Sequence, residues 1–160
     1  MRRLSSNIFA LVLVLGFAGS ALASSIADRE GWVIRETPYS FADLNSRLDQ
    51  AIKGAKMGLV TQASASKGAE SRGVTIAGNR VVGVYRNDFA VRMLDASLAA
   101  GIEAPIRFYV TEDEGGSTLS YKTPTFVFSP YFDEGGETLK SLAAELDGIF
   151  AGIADQAAGK

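Results

Sequence analysis

Seven apolar residues near the C-terminus constrain this chain more than any other feature. Leu139, Leu142, Ala143, Leu146, Ile149, Phe150 and Ile153 recur at i, i+3, i+4 and i+7 spacing. That is one stripe of an α-helix, starting near Glu137–Thr138, and the stripe must be laid against another apolar surface. Glu137 also suits the positive end of the helix dipole. The chain has no cysteine, so no disulfide can substitute for that packing. The fold has to be held by its core alone.

The remaining segments supply the surface. Trp32–Thr37 reads as a first strand, stopped by Pro38. Ser40 is a good N-cap with Asp43 at N3, and Tyr39 can staple onto Leu44. Phe41, Leu44, Leu48, Ala51, Ile52 and Ala55 then follow at helical spacing, with Gly58 as the expected terminator. Leu59–Gln62 is a short second strand, and residues 64–73 are polar and small, either a short helix or a loop. Arg80–Tyr85 is a third strand. Asp88 can cap a helix carrying Phe89, Leu94, Leu98 and Ala99 and closed by Gly101. Ile106–Glu112 and Ser117–Thr123 flank Asp113-Glu114-Gly115-Gly116, a β-hairpin signal. Alternation puts Ile106, Phe108 and Val110 on one face, and Arg107, Tyr109 and Thr111 on the other. Pro124–Phe132 holds four aromatics and two prolines and reads as a packed loop or edge segment. The order β-α-β-(α)-β-α-β-β-α predicts an α+β fold of two layers, with helices on one face of a mostly antiparallel sheet.

The N-terminus carries an export pattern. Arg2 and Arg3 precede the apolar run Ile8–Phe17, and Ala21-Leu22-Ala23 is an A-x-A cleavage site. The apolar run is about half the roughly 20 residues of a spanning helix. Residues 1–23 therefore read as a signal peptide cleaved after Ala23, residues 24–31 as a polar lead-in and residues 32–157 as one domain. Cleavage leaves 137 of the 160 residues and, without Arg2 and Arg3, 14 basic against 18 acidic side chains, a net charge of −4. The expected location is the periplasm or the medium, with no stable membrane anchoring after cleavage. No basic cluster remains for nucleic acid.

Several segments in order resemble the domain of unknown function 302 family. They are Tyr39-Ser40-Phe41, Gly58-Leu59-Val60, Arg86-Asn87 and, most clearly, Pro105–Asp113 followed by a glycine turn and Leu119-Ser120-Tyr121-Lys122-Thr123-Pro124. The resemblance spans about residues 32–152 and implies a two-layer TBP-like domain, often exported and often dimeric. Many members carry an Asp-His pair after the second strand. This chain has Ser64-Ala65 there and no histidine anywhere.

The absence of histidine and cysteine removes Ser-His and Cys-His catalysis and the usual zinc ligands. No cofactor and no metal site is expected. Glu112, Asp113 and Glu114 read as a solvated turn, because neighbours on a strand point to opposite faces. Asn87 reads first as a cap or turn former, and the resemblance adds a ligand-side role. Arg92 can pair with a carboxylate ligand or join a surface salt bridge. Tyr121 reads as sheet packing, since it and Lys122 face apart. The rings of Phe126, Phe128, Tyr131 and Phe132 can fill core, form an interface or line a pocket. The candidate ligand-binding residues are Asn87, Arg92, Tyr121, Phe126 and Phe128. The expected function is non-enzymatic: binding of a small apolar or anionic ligand, or assembly as a homodimer. The alternative is a hydrolase-like or other enzyme using carboxylate, Tyr and Lys groups. It demands that at least two of Glu112, Tyr121, Lys122, Asn87 and Arg92 converge in one cleft.

Overall fold

The computed structural model describes residues 26–160. The signal-peptide segment, its cleavage site and the start of the lead-in lie outside the described residues. Among the described residues, no helix is long and apolar enough to cross a membrane.

Five strands form one antiparallel sheet: β1 (Trp32–Thr37), β2 (Gly58–Ala63), β3 (Asn79–Tyr85), β4 (Ile106–Asp113) and β5 (Gly116–Lys122), in the spatial order β1-β5-β4-β3-β2. The β4–β5 hairpin pairs Asp113 with Gly116 across Glu114–Gly115, as the turn chemistry predicts. One face carries Val82, Val84, Phe108, Val110, Leu119 and Tyr121, all buried. Helices α1 (Phe41–Gly54), α3 (Asn87–Ala96) and α5 (Phe132–Ala158) cover that face, and all contribute to the one core. The two-layer α+β architecture is therefore the one expected. A short α2 (Ala65–Glu70) resolves the ambiguous 64–73 segment.

The C-terminal stripe is the main contributor to the core. Leu139, Leu142, Ala143, Leu146, Phe150 and Ile153 are all buried. Phe150 stacks on Phe108 of β4 with ring centroids 4.7 Å apart, and Tyr121 of β5 tilts against both rings. At the sheet edge, Arg35 of β1 donates to Asp155 at 3.1 Å, tying the edge strand to α5. The Ser40 cap forms as read: the Asp43 N–H donates to Ser40 Oγ, which in turn donates to Asp43 Oδ2.

Four local expectations need correction. First, α1 ends at Gly54, and Gly58 opens β2. Lys56 takes the left-handed turn at φ 57°, while the Met57 and Lys56 N–H groups donate to the Ile52 and Lys53 carbonyls. Buried Met57 then packs with Ile52 in the core, so a lysine holds the position glycine usually takes. Second, α3 ends at Ala96 and buries Phe89, Ala90 and Met93. Leu94 and Leu98 point out, because the Phe89–Met93 pair already faces the core. Asp88 is not the cap; it sits in the first turn and binds Arg86 at 2.7 Å.

Third, Pro124–Phe132 is helical. It forms α4 (Pro124–Phe128) and a 3₁₀ turn (Ser129–Tyr131) before α5. Both prolines occupy first-turn positions, where a missing N–H costs no bond. Thr123 caps α4 by accepting from the Phe126 N–H. Fourth, α5 extends back to Phe132, but Gly136 breaks its regularity at φ 55°, ψ −150°. The regular stretch therefore starts at Glu137, as the apolar stripe indicates.

Removing the central ring tests this packing order. Phe150→Ala is expected to destabilise the domain by about 3–5 kcal/mol. Urea unfolding should show a lower midpoint with an unchanged slope, and a loss under about 1 kcal/mol would mean that the ring does not hold the layers together.

Candidate functional site

Among the described residues, no helical layer covers the second face of the sheet. By the pairing register, its rows run Trp32–Lys122–Arg107–Gly83 and then Ile34–Ser120–Tyr109–Val81. Phe108 pairs with Tyr121, so the next step of the ladder sets Arg107 opposite Lys122. Trp32, Ile34, Val81 and Tyr109 are only half-buried, while Arg107 and Lys122 are exposed.

One end of this face deepens into a cavity of about 510 Å³. Its floor includes Trp32, Tyr109 and Lys122, and its wall rises through Phe126 and Pro130. The wall stands where it does because Asp147 of α5 accepts from both the N–H and the hydroxyl of Thr125, at 2.9 and 2.6 Å. Phe126 lies directly over Gly31, whose φ of 72° and missing Cβ make room for the ring. The Thr123 N–H donates to the Gly31 carbonyl at 2.8 Å, closing the corner between α4 and β1.

The charges in the cavity are unequal. Glu103 accepts from the Tyr131 hydroxyl at 2.8 Å. That bond chiefly, then burial and the carboxylate charge, holds the Tyr131 phenol above its ordinary pKa. Lys122 Nζ lies 5.8 Å from the Trp32 ring centre, and Arg29 stacks on the same ring at 5.0 Å. Among the described residues, neither Arg107 nor Lys122 has a carboxylate partner.

Two further hollows are less suited to a ligand. One, of about 30 Å³ beside Phe128, Phe89 and Met93, is a packing gap. The other, of about 650 Å³ beside Asn45, Asp49 and Lys67, is larger. Its Arg80 guanidinium is already taken up by Asp49, Gln62 and Asn45.

The candidates from the sequence divide accordingly. Tyr121 and Phe126 border the 510 Å³ cavity, although the Tyr121 ring turns inward against Phe108 and Phe150. Phe128 is buried core. Asn87 is the exposed first residue of α3. Arg92 stands on the same helix in a 2.9 Å salt bridge with Glu145. Glu112 lies at the far end of β4 and accepts from the Gly78 N–H at 2.6 Å, which makes it a loop tie as well as a turn charge. Of the five groups named for catalysis, Glu112, Asn87 and Arg92 therefore lie away from this cavity. Tyr121 and Lys122 share a cavity border but face opposite ways. Among the described residues no metal-ligating cluster forms.

The family model for the domain of unknown function DUF302 matches residues 33–156. The chain belongs to this family. A crystal structure of an uncharacterized conserved DUF302 protein from Bacillus stearothermophilus superimposes with a TM-score of 0.71 at 19% identity, over 80% of this chain and 98% of that one. At that identity the likeness speaks for the DUF302 fold. Among curated proteins, nothing matches the chain.

Trp32, Arg107 and Tyr109 of the DUF302 domain are missing from the sequence candidates, and Lys122 stands there only among the groups for catalysis, not for ligand binding. The hairpin turn carried the signal for two of them, because a two-residue Glu114–Gly115 turn dictates that Arg107 meets Lys122.

Tyr121 gives a titration test of this geometry. Burial holds its phenol above the ordinary value, with Arg35 opposing and Asp155 and Asp147 reinforcing. A raised folded pKa contributes stability below the unfolded value, and that contribution is lost as pH rises above about 10. Stability should fall over this alkaline range less steeply in Tyr121→Phe than in the parent. Parallel curves would show that Tyr121 ionises as freely in the folded as in the unfolded state.

Proposed function

We propose that this DUF302 protein is an exported, non-enzymatic binding module whose ligand occupies the cavity between the open sheet face and α4. The observation that carries this reading is the cavity itself. About 510 Å³ of space is walled by aromatic rings, with two cations at its floor. Volumes of about 300–1,000 Å³ with mainly apolar walls and a few polar groups are typical of small-molecule sites. The wall is built on a capped helix pinned through Asp147, so the space exists before a ligand arrives. The distance of Glu112, Asn87 and Arg92 from the cavity, and the opposed directions of Tyr121 and Lys122, favour binding over catalysis. Export follows from the N-terminal pattern read in the sequence.

A second reading, assembly as a homodimer, is favoured by a separate observation. Val91 and Leu94 of α3 and Leu98 and Ile102 beyond it are exposed, the last two by 78% and 81%. Asp88 and Arg86 border the same helix with Arg92 and Asp95. That mix of signs is complementary to itself across a two-fold axis. This fits a second copy of the chain.

Trp32 is the only tryptophan and borders the cavity, so it reports occupancy directly. Titration with small aromatic alcohols, amides and carboxylates should change its emission in a saturable way, and Phe126→Ala should weaken that binding by about tenfold. If no member of the set shifts the emission, the ligand reading falls. For the second reading, light scattering after size exclusion should give a dimer for the parent and a monomer for Leu98→Asp/Ile102→Asp. A monomeric parent at high concentration removes it.

A further inference from the structure

We infer that the ligand of this cavity is a small aromatic monocarboxylate, held by Arg107 and Lys122 through its anionic end and by Trp32, Tyr109 and Phe126 through its ring. This rests on the binding reading above and goes further in naming the chemical class.

The first argument is the cross-strand register. Residues directly opposite on paired strands have Cβ atoms about 4.5–5.5 Å apart, and like charges there are destabilising. Arg107 and Lys122 stand one step beyond the Phe108–Tyr121 pair, where continuing the ladder sets them opposite each other. Four arginines of the domain do have carboxylate partners, Arg35 with Asp155, Arg80 with Asp49, Arg86 with Asp88 and Arg92 with Glu145, and the other cations without one are not set side by side on one sheet face. Two adjacent cations with no carboxylate between them are a cost in the empty protein and an attraction for an anion. The guanidinium offers a planar fork that matches a carboxylate, and the ammonium adds a mobile point charge.

The second argument is the rest of the wall. A bare inorganic anion would leave the Trp32, Tyr109, Phe126 and Pro130 surfaces wet. A planar ring on the carboxylate covers them, and aromatic contacts reward offset or edge-on stacking. The third argument is Glu103. It stands at the cavity with its charge held by Tyr131, and it repels a second anionic group at that end. One carboxylate and a neutral aromatic body fit this distribution.

Calorimetric titration of the mature protein with 1-naphthoate, 1-naphthamide and inorganic phosphate separates the possibilities. The acid should bind about tenfold or more tightly than the amide, phosphate should bind weakest, and the preference should weaken with salt. In Arg107→Gln/Lys122→Gln the acid should fall to the level of the amide, whose own affinity stays. The unliganded double variant should melt no lower than the parent, because a like-charge pair has been removed. Equal affinity for acid and amide overturns the carboxylate inference and leaves the cavity reading intact. Phosphate outcompeting the acid overturns the aromatic part. Binding by none of the three overturns both. A marked loss of stability in the unliganded double variant would make the pair structural and overturn the inference.

Discussion

The contact of α5 with the inner sheet face organises the rest of the molecule. Phe150 stacks on Phe108 while Tyr121 closes the triangle, so the longest helix is clamped to the two central strands of the hairpin. Without cysteine to staple it, the domain relies on this apolar layer. Burying the stripe on one side has a topological consequence. Among the described residues all the long helices lie on that side, and the opposite face of the sheet carries no helix layer, as antiparallel sheets permit.

From α5 the same packing reaches the cavity. Asp147 lies one residue beyond Leu146 on the helix, so the residue that pins α4 is carried by the helix that makes the core. The carboxylate holds Thr125 by two bonds, α4 is capped by Thr123, and Phe126 is set down on Gly31 at the start of β1. A change in α5 would therefore be felt at the wall of the cavity. That is a different design from a site built on a free loop, because its geometry is fixed by the scaffold.

Much of the layer structure was legible in the sequence. Strand alternation, the Ser40–Asp43 cap and the apolar stripe each depend on neighbours within a few residues, and each appears where its pattern stands. The misreadings share a different cause. Pro124 and Pro130 were read as breakers of a strand, although the same residue also starts helices. Leu94 and Leu98 share helical spacing with residues that face inward, and spacing alone cannot tell a buried leucine from an exposed one. Trp32 reaches the cavity only because β1 pairs with β5, about 90 residues later in the chain, and no local pattern announces that pairing. Arg107 and Lys122 were legible in principle from the hairpin turn. Neither residue alone signals a site; their nearness comes from the strand register.

Half-buried rings and neighbouring cations share the open face. A solvent-exposed sheet face gains nothing from half-buried Trp32, Ile34, Val81 and Tyr109, and it loses from two cations set side by side. Either feature alone could be a neutral accident of an edge. Together they are complementary to one kind of molecule, flat and apolar at one end and anionic at the other. The apolar surface and the repelling charges are both unfavourable in the empty protein, and the same ligand removes both. A face built only for solubility would carry the opposite pattern, with mixed charges and no rings. The inner face of the sheet makes the fold stable, and the chemistry of the outer face is what the binding proposal accounts for.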